Sequence, residues 1–261
     1  MRVETIDDRG QGMPIVYTPG IDGTGWLLLD QAPRIASRFR LIRLRYVDGG
    51  DDTYESMAAS LAEALDHASI ERAVLLAESF GGAVAMQTAI SYPDRVAALA
   101  IVNSFPYFQR RPHLELSRLG AALTPRWLWR LGRQVLAAHL LFGERREREA
   151  IARFKALDGR HMIGPLYRRR LDMIRRLDLR PRLSEIHHPT TLVVGDRDRI
   201  VDSVQQARIM RGAMRAARIE VVQGGGHLIL PLATIHWPER LAELIARCNP
   251  PTDQAANPVP S

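Results

Sequence analysis

A serine between a predicted strand and a predicted helix constrains this chain more than any other feature. Residues 72–77 are apolar after Arg72 and rich in Val and Leu, which is typical of a short buried strand. The residues from 80 to about 91 have the pattern of a helix. The chain must therefore turn sharply at Ser79, and a sharp turn requires small residues two positions before and after it. Those positions hold Ala77 and Gly81.

This small-x-Ser-x-Gly sequence is a variant of the G-x-S-x-G nucleophile elbow, which exposes a serine hydroxyl at the end of a sheet. The variant has Ala77 where Gly is usual, and one methyl group is a mild change. A Ser-Gly-Gly turn that opens an ordinary helix would have the same local pattern. The rest of the chain has to distinguish the two interpretations.

Predicted strands and helices alternate through most of the 261 residues. This alternation predicts the α/β class with a doubly wound, mostly parallel sheet. The predicted strands are 2–6, 13–18, 39–47, 72–77, 95–104, 190–195 and 218–223, and residues 7–12 are a turn-rich link. The predicted helices are 26–38, 53–68, 80–91, 203–217 and 236–248, with Thr53 as the N-cap of the second.

The alternation stops after residue 104. Residues 105–182 contain no strand-like run and are predicted to form several basic helices, which include Trp127, Trp129, Phe142 and Phe154. We expect a core formed by 1–104 and 186–248, with 105–185 as a helical cap over the carboxyl edge of the sheet, where such folds bind ligands. The tail 249–261, rich in Pro, Asn and Gln, is predicted to be disordered.

A serine hydroxyl needs a base to take its proton, and the base needs an acid that holds it in the right tautomer. In this type of fold the order along the chain is Ser, acid, His. His227 follows a predicted strand and three glycines, and Asp198 follows the strand 190–195. Asp196 is an alternative for the acid, whereas Asp202 is predicted to cap the next helix.

The tetrahedral intermediate of such a reaction needs two N–H donors at its oxyanion. The amide of Phe80, after the nucleophile, is one candidate, and the amide of Ile21, in the Gly-rich loop after the strand 13–18, is the other. This loop is not a phosphate loop, because Gly-Lys-Ser/Thr never occurs. No dinucleotide fingerprint is present, and His187 and His188 lack convincing metal-ligand spacing. We therefore predict neither a cofactor nor a metal.

Three motifs in this order resemble the α/β-hydrolase superfamily. They are Ala77-Glu78-Ser79-Phe80-Gly81, Gly195-x-x-Asp198 and Gly225-x-His227. The loop Pro19-Gly20-Ile21-Asp22-Gly23 is also similar to that of some bacterial hydrolases and plastid acyl-ester-forming relatives.

The resemblance implies several chemistries, and a serine nucleophile argues against dehalogenation and epoxide opening. It leaves the hydrolysis of an ester, thioester, lactone or C–C bond, or acyl transfer. We expect a carboxylic ester hydrolase with a small-molecule substrate. Ser79 would attack, His227 would act as base and then acid, and Asp198 would orient His227.

The positive charge is concentrated in the predicted cap. Residues 105–182 hold 18 arginines and one lysine against seven acidic residues, whereas the whole chain has a net charge of +7. Solvated arginines on amphipathic helices would explain this. Alternatively, arginines such as Arg168, Arg169 and Arg170 would dock an acidic partner: an acyl carrier protein, coenzyme A phosphates or an anionic membrane surface.

Two further alternatives follow from this charge and from the scaffold. The enzyme would be a carrier-linked (thio)esterase or an acyltransferase, or the chain would be a binding protein on a hydrolase scaffold. Nucleic acid is not expected, because no recognised binding module accompanies the charge.

The single cysteine, Cys248, allows no internal disulfide, which is consistent with a reducing compartment. The first residues lack the apolar region of a secretory signal, and no run approaches the roughly 18 apolar residues that span a bilayer. The sequence therefore predicts a cytoplasmic protein without a membrane span.

Overall fold

A computed structural model describes residues 1–109, 115, 120, 140–145, 147–157 and 165–248. The strands are β1 (Arg2–Arg9), β2 (Pro14–Thr18), β3 (Arg40–Val47), β4 (Ala73–Glu78), β5 (Val96–Val102), β6 (Thr190–Gly195) and β7 (Ala217–Val222). The helices are α1 (Gln31–Ala36), α2 (Tyr54–His67), α3 (Phe80–Ser91), α4 (Arg148–Ala156), α5 (Pro165–Arg176), α6 (Ser203–Ala213) and α7 (Trp237–Ala246).

The seven strands form one sheet in the order β1-β3-β2-β4-β5-β6-β7. Every neighbouring pair is parallel except β1 and β3, which are antiparallel. The prediction of a doubly wound, mostly parallel sheet is therefore confirmed. Strand β4 lies at the centre, and all six of its residues are buried. Its carboxyl end leads directly into Ser79 and α3.

Apolar side chains cover both faces of the sheet. On one face α2, α3, α5 and α6 pack into one hydrophobic cluster, and α3 is the most deeply buried of these helices. On the other face α1, α4 and α7 pack into a second cluster. A strand that is covered on both faces has few polar positions, which explains the continuous apolar runs of β4 and β5.

Strand β1 is longer than predicted, because it continues to Arg9 through residues expected in a link. Ion pairs between β1 and β3 accompany the extension: Arg43 Nη2 lies 2.8 Å from Asp7 Oδ2, and Arg40 Nη2 lies 2.7 Å from Asp8 Oδ2. Cross-strand pairs of opposite charge favour strand pairing, so the polar residues that suggested a turn belong to the sheet.

Helix α1 is shorter than predicted, since it spans only Gln31–Ala36 within the expected 26–38. Leu29, just before it, has a φ of 46° that is incompatible with a helix.

The segment after β5 is partly described. Phe142 and Phe154 are buried with ring centroids 5.8 Å apart, whereas Trp127 and Trp129 lie outside the described residues. So does the tail 249–261. The boundaries of the core and of the helical cap therefore remain a prediction. In the part of the chain that the structure covers, no helix has both the length and the apolar character needed to cross a lipid bilayer.

Candidate active site

Ser79 occupies a strained turn between β4 and α3. Its φ of 51° and ψ of −116° place it in a region that side chains rarely adopt, as expected at a nucleophile elbow. A Cβ on Gly81 would lie 2.3 Å from the carbonyl oxygen of Thr18, so only glycine fits there. The Ser104 hydroxyl donates to the Ser79 carbonyl at 2.7 Å, and the Ser79 amide donates to Val102 O at 2.9 Å. These two hydrogen bonds attach the turn at Ser79 to the end of the neighbouring strand β5.

The structure brings Ser79, His227 and Asp198 together into one hydrogen-bonded row. His227 Nε2 lies 3.0 Å from Ser79 Oγ, and His227 Nδ1 lies 2.8 Å from Asp198 Oδ2. Ser79 and His227 are 7% and 8% exposed, so both groups are close to the surface without lying on it. The geometry matches that of a nucleophile, a base and an orienting acid.

Burial and charge set the protonation of this pair. Burial alone would lower the pKa of His227, but the Asp198 carboxylate and, more weakly, Glu78 raise it above its ordinary value. Burial alone would raise the pKa of Asp198, but His227 and the hydrogen bonds from Ser203 and Val201 lower it. These shifts favour the ionised form of Asp198 and increase the basicity of the His227 imidazole.

The carboxylate that contacts His227 belongs to Asp198, not to Asp196. Besides His227, it accepts hydrogen bonds from the Ser203 hydroxyl and from the amides of Ile200 and Val201 at 2.9 and 3.0 Å. Asp196 instead accepts from the amide of Gly224 at 2.7 Å. It thereby holds the glycine loop that carries His227.

Asp202 accepts from the amide of Gln205 and caps α6, as predicted. Thr53 likewise caps α2 by accepting from the amide of Ser56.

A buried asparagine holds the histidine loop in place. Asn103 Nδ2 donates to the carbonyls of Gly226 and His227 at 2.9 and 2.8 Å, and Asn103 Oδ1 accepts from the amide of Gly195 at 2.8 Å. This one amide thus links β5, the end of β6 and the loop of the base. Sequence reasoning missed both Asn103 and Ser104. The signal was a pair of polar residues directly after an apolar strand.

The predicted oxyanion loop lies beside Ser79. A Cβ added to Gly20 would lie 3.7 Å from Ser79 Cβ. Phe80 is the first residue of α3, and Ile21 lies in the loop after β2. Within the described residues, neither of these two amides donates to another backbone group.

Two buried acids, Glu78 and Asp22, lie near Ser79. Glu78 is 1% exposed and accepts from the Tyr17 hydroxyl at 2.9 Å through Oε2. Burial, together with the nearby Asp22 charge, raises the pKa of Glu78 to about 7. Burial also raises the pKa of Asp22, against hydrogen bonds from Thr24 that lower it. Sequence reasoning passed over Glu78, although a charged residue in an otherwise apolar strand was visible.

His187 and His188 lie away from this row, before β6. His187 is exposed, and His188 Nε2 lies 2.9 Å from the carbonyl oxygen of Pro93. In the described part of the chain, no three His, Cys, Asp or Glu side chains are grouped as metal ligands would be.

Comparisons with known proteins agree with this architecture. A family model described as "alpha/beta hydrolase fold" matches residues 30–234. The chain is similar to "Putative carbamate hydrolase RutD" of Azorhizobium caulinodans, with 26% identity over 84% of this chain and 86% of that protein. It is 29% identical to a pimeloyl-acyl-carrier-protein methyl ester esterase of a Shewanella species, over 75% of this chain and 77% of that protein.

Among solved structures, an esterase from Exiguobacterium antarcticum superposes with a TM-score of 0.79 at 19% identity, and the match covers 93% of this chain and 95% of that one. At that identity the likeness concerns the fold alone. The family model, by contrast, spans most of the chain, including both the elbow and the loop of His227. The two relatives to which this chain is similar in sequence are named as a hydrolase and an esterase. The chain therefore belongs to the alpha/beta hydrolase fold family and is a hydrolase.

Proposed function

We propose that this protein is a serine hydrolase that cleaves a carboxylic ester through an acyl-enzyme. The observation that carries the proposal is the hydrogen-bonded row from Ser79 Oγ through both ring nitrogens of His227 to Asp198. A serine hydroxyl that lies on a strained turn, next to a base held by a buried acid, is arranged for nucleophilic attack.

The reaction would proceed in two halves. Ser79 Oγ attacks the ester carbonyl and forms a C–O bond while its proton passes to His227 Nε2. The tetrahedral intermediate collapses, the alcohol leaves with the proton from His227, and the acyl group stays on Ser79. Water then attacks this acyl-enzyme with His227 as base, and the carboxylic acid is released as the proton returns to Ser79.

The negative charge of each tetrahedral intermediate would be stabilised by the amides of Phe80 and Ile21. The amide after the nucleophile and an amide from the loop after an early strand form the oxyanion hole of this fold. Removal of one such donor costs roughly 100- to 1000-fold in rate in comparable sites. Asp198 would keep the Nδ1 proton of His227 in place and stabilise the imidazolium that forms transiently.

Substitution of the nucleophile tests the proposal. Wild-type protein should hydrolyse short p-nitrophenyl esters, and Ser79→Ala should abolish this turnover. Ser91→Ala, which changes an exposed serine at the far end of the same helix, should retain it. Full activity in Ser79→Ala would show that the assignment is wrong. A fluorophosphonate probe should label wild type and not Ser79→Ala, and failure to label the wild type would favour a binding protein on a hydrolase scaffold.

A second candidate is a carrier-linked (thio)ester as substrate, or acyl transfer from it. The similarity to a pimeloyl-acyl-carrier-protein methyl ester esterase favours it. Helix α5 carries several of the described arginines of the basic segment. Arg169 and Arg170 make internal contacts, whereas Arg168 and Arg175 are exposed and lie seven residues apart, on one face of the helix. An acidic carrier would contact this face.

The charge of that face provides the test. Arg168→Gln with Arg175→Gln should weaken activity on a carrier-bound ester much more than on a p-nitrophenyl ester, and added salt should act in the same direction. Equal effects on the two substrates would remove the carrier candidate and leave the small-molecule esterase.

A further inference from the structure

The predicted oxyanion loop is held by a buried arginine from α5. Arg170 is 2% exposed, and its guanidinium lies against the loop of residues 19–23. Nε donates to the carbonyl of Ile21 at 2.7 Å, and Nη2 donates to the carbonyl of Asp22 at 3.2 Å. A cation is costly to bury unless hydrogen bonds and nearby charge compensate it. These two carbonyls provide part of that compensation.

All five consecutive carbonyls of this loop accept a hydrogen bond. Tyr46 Oη donates to Pro19 O at 2.7 Å, and Tyr46 N donates to Gly23 O at 2.8 Å. Gly23 N donates to Gly20 O at 3.0 Å. Arg170 donates to the remaining two carbonyls, those of Ile21 and Asp22. The guanidinium therefore completes the set of contacts that fixes the orientation of each peptide group.

Arg170 contacts the carbonyl of Ile21, which is the residue whose amide we assign to the oxyanion hole. The Ile21 amide and the Ile21 carbonyl flank the same Cα. With the carbonyl held by Arg170, and the preceding Gly20 carbonyl held by Gly23, the rotations that would turn the amide away are restricted. The fit is also tight, because a Cβ on Gly23 would lie 2.9 Å from Arg170 Nη1.

Building on the proposed function, we infer that Arg170 is a positioning residue that aims the Ile21 amide at the oxyanion. Its planar fork is suited to this role, because it donates to two adjacent carbonyls at once. Lysine carries its donors on one nitrogen, so it does not reproduce a pair of donors on two separate nitrogen atoms. Arg170 contacts the loop and acts through Ile21 rather than on the substrate.

The neighbouring arginine provides a matched control. Arg169 anchors the same helix to the loop after β3: Nε and Nη2 bind Asp52 at 2.5 and 2.7 Å, and Nη1 binds Asp48 at 2.6 Å. These contacts lie outside residues 19–23. If Arg170 only anchors α5, the loss of either arginine should have similar effects. If it positions the amide, the two variants should differ in catalysis.

The experiment measures kcat, KM and thermal stability for Arg170→Met, Arg170→Lys and Arg169→Gln on a p-nitrophenyl ester. It also measures inhibition by a trifluoromethyl ketone, which forms an oxyanion on Ser79. Arg170→Met should lower kcat by roughly 10- to 100-fold with little change in KM. The affinity for the ketone inhibitor should fall by a similar factor. Arg169→Gln should keep kcat and ketone affinity even where its melting temperature falls.

A folded Arg170→Met with wild-type kcat and wild-type ketone affinity would overturn the inference, as would an equal loss of kcat in Arg169→Gln. Should Arg170→Met fail to fold, Arg170→Lys decides: a drop in kcat with unchanged KM supports the inference, and wild-type kcat overturns it. The proposed function fails separately, since in that case the wild-type protein itself would neither turn over the ester nor react with a fluorophosphonate at Ser79.

Discussion

The side-chain amide of Asn103 donates a hydrogen bond of 2.8 Å to the main-chain carbonyl of His227. His227 is thus held through its backbone by the residue that directly follows β5, while Asp198 holds its ring. Two independent attachments restrict both the position and the rotation of the imidazole. Precise placement matters, because a displacement of about 1 Å can cost roughly 100-fold in rate.

The change Asn103→Asp tests this attachment. Aspartate keeps an acceptor for the Gly195 amide but loses both donors, and it places a carboxylate against the carbonyls of Gly226 and His227. We expect kcat on a small ester to fall by roughly 10- to 100-fold and the free energy of unfolding to fall by about 2 kcal/mol. Steady-state kinetics and urea unfolding measure the two effects. Wild-type kcat in a folded variant would contradict the role.

The pH dependence of kcat/KM should report the protonation of His227. Only the neutral imidazole can take the Ser79 proton, so activity rises as pH rises through the pKa of His227. Because Asp198 raises that pKa overall, the midpoint should lie above the ordinary histidine value of 6.5. In Asp198→Asn the negative charge is gone, so the midpoint should move to lower pH while kcat falls by up to roughly 10⁴-fold.

Asp196→Asn is the control for this measurement. Asparagine retains an acceptor for the Gly224 amide, and the Asp196 carboxylate does not contact His227. Its midpoint should equal that of the wild type. If the midpoint of the pH profile shifted in Asp196→Asn and stayed at the wild-type value in Asp198→Asn, Asp196 would be the acid instead.

Glu78 should make the protein less stable as pH rises from about 4.5 to about 7. Its pKa is raised from 4.5 to about 7 in the fold, chiefly by burial, so the unfolded chain ionises before the folded one. Stability contributed by the neutral carboxyl is therefore complete below pH 4.5 and is lost progressively up to about pH 7. The loss amounts to at most about 3 kcal/mol, and Glu78→Gln should remove this component. Urea unfolding of both proteins between pH 5 and pH 8 measures it, and identical pH slopes would contradict the prediction.

The glycine after Phe80 should not tolerate a side chain. In Gly81→Ala the new Cβ would lie 2.3 Å from the Thr18 carbonyl oxygen, which is backbone and cannot yield cheaply. We expect a loss of at least about 2 kcal/mol in the free energy of unfolding, together with impaired turnover as the elbow shifts. Gly212→Ala in α6, where the new Cβ would meet no side chain and no backbone from outside its own helix within 4 Å, is the control and should change stability by less than about 1 kcal/mol. Similar losses in both variants would show that the close approach at Gly81 is not the cause.

The strand and helix pattern could be predicted well where local signals were strong. The elbow helix was predicted at its observed bounds, Phe80–Ser91, and strand β6 at Thr190–Gly195. The predicted end of strand β1 was too early, because its acidic residues suggested a turn. In the structure these residues pair with arginines on β3 and belong to the sheet. Cross-strand pairing of this kind joins residues that are far apart in the chain, so periodicity does not reveal it.

For the candidate site, the residue types and their order along the chain were sufficient to predict Ser79, Asp198 and His227 as partners. The elbow and the loops after β6 and β7 each have a local pattern that is visible in the printed sequence. Arg170 has none, since nothing distinguishes it from the other arginines of residues 105–182. Arg168, Arg169 and Arg170 formed one group in the sequence, yet one is exposed, one pairs with Asp48 and Asp52, and one is buried against the oxyanion loop.

Local chemistry along the chain thus determines the α/β alternation, the turn at Ser79 and the candidate site residues Ser79, Asp198 and His227, because these depend on short-range sterics and periodicity. Which side-chain amide holds the loop of His227 and which arginine enters the core were decided by the tertiary structure alone. Those choices depend on packing between segments more than 90 residues apart, such as Asn103 and His227, and only the folded sheet brings such segments within hydrogen-bond distance.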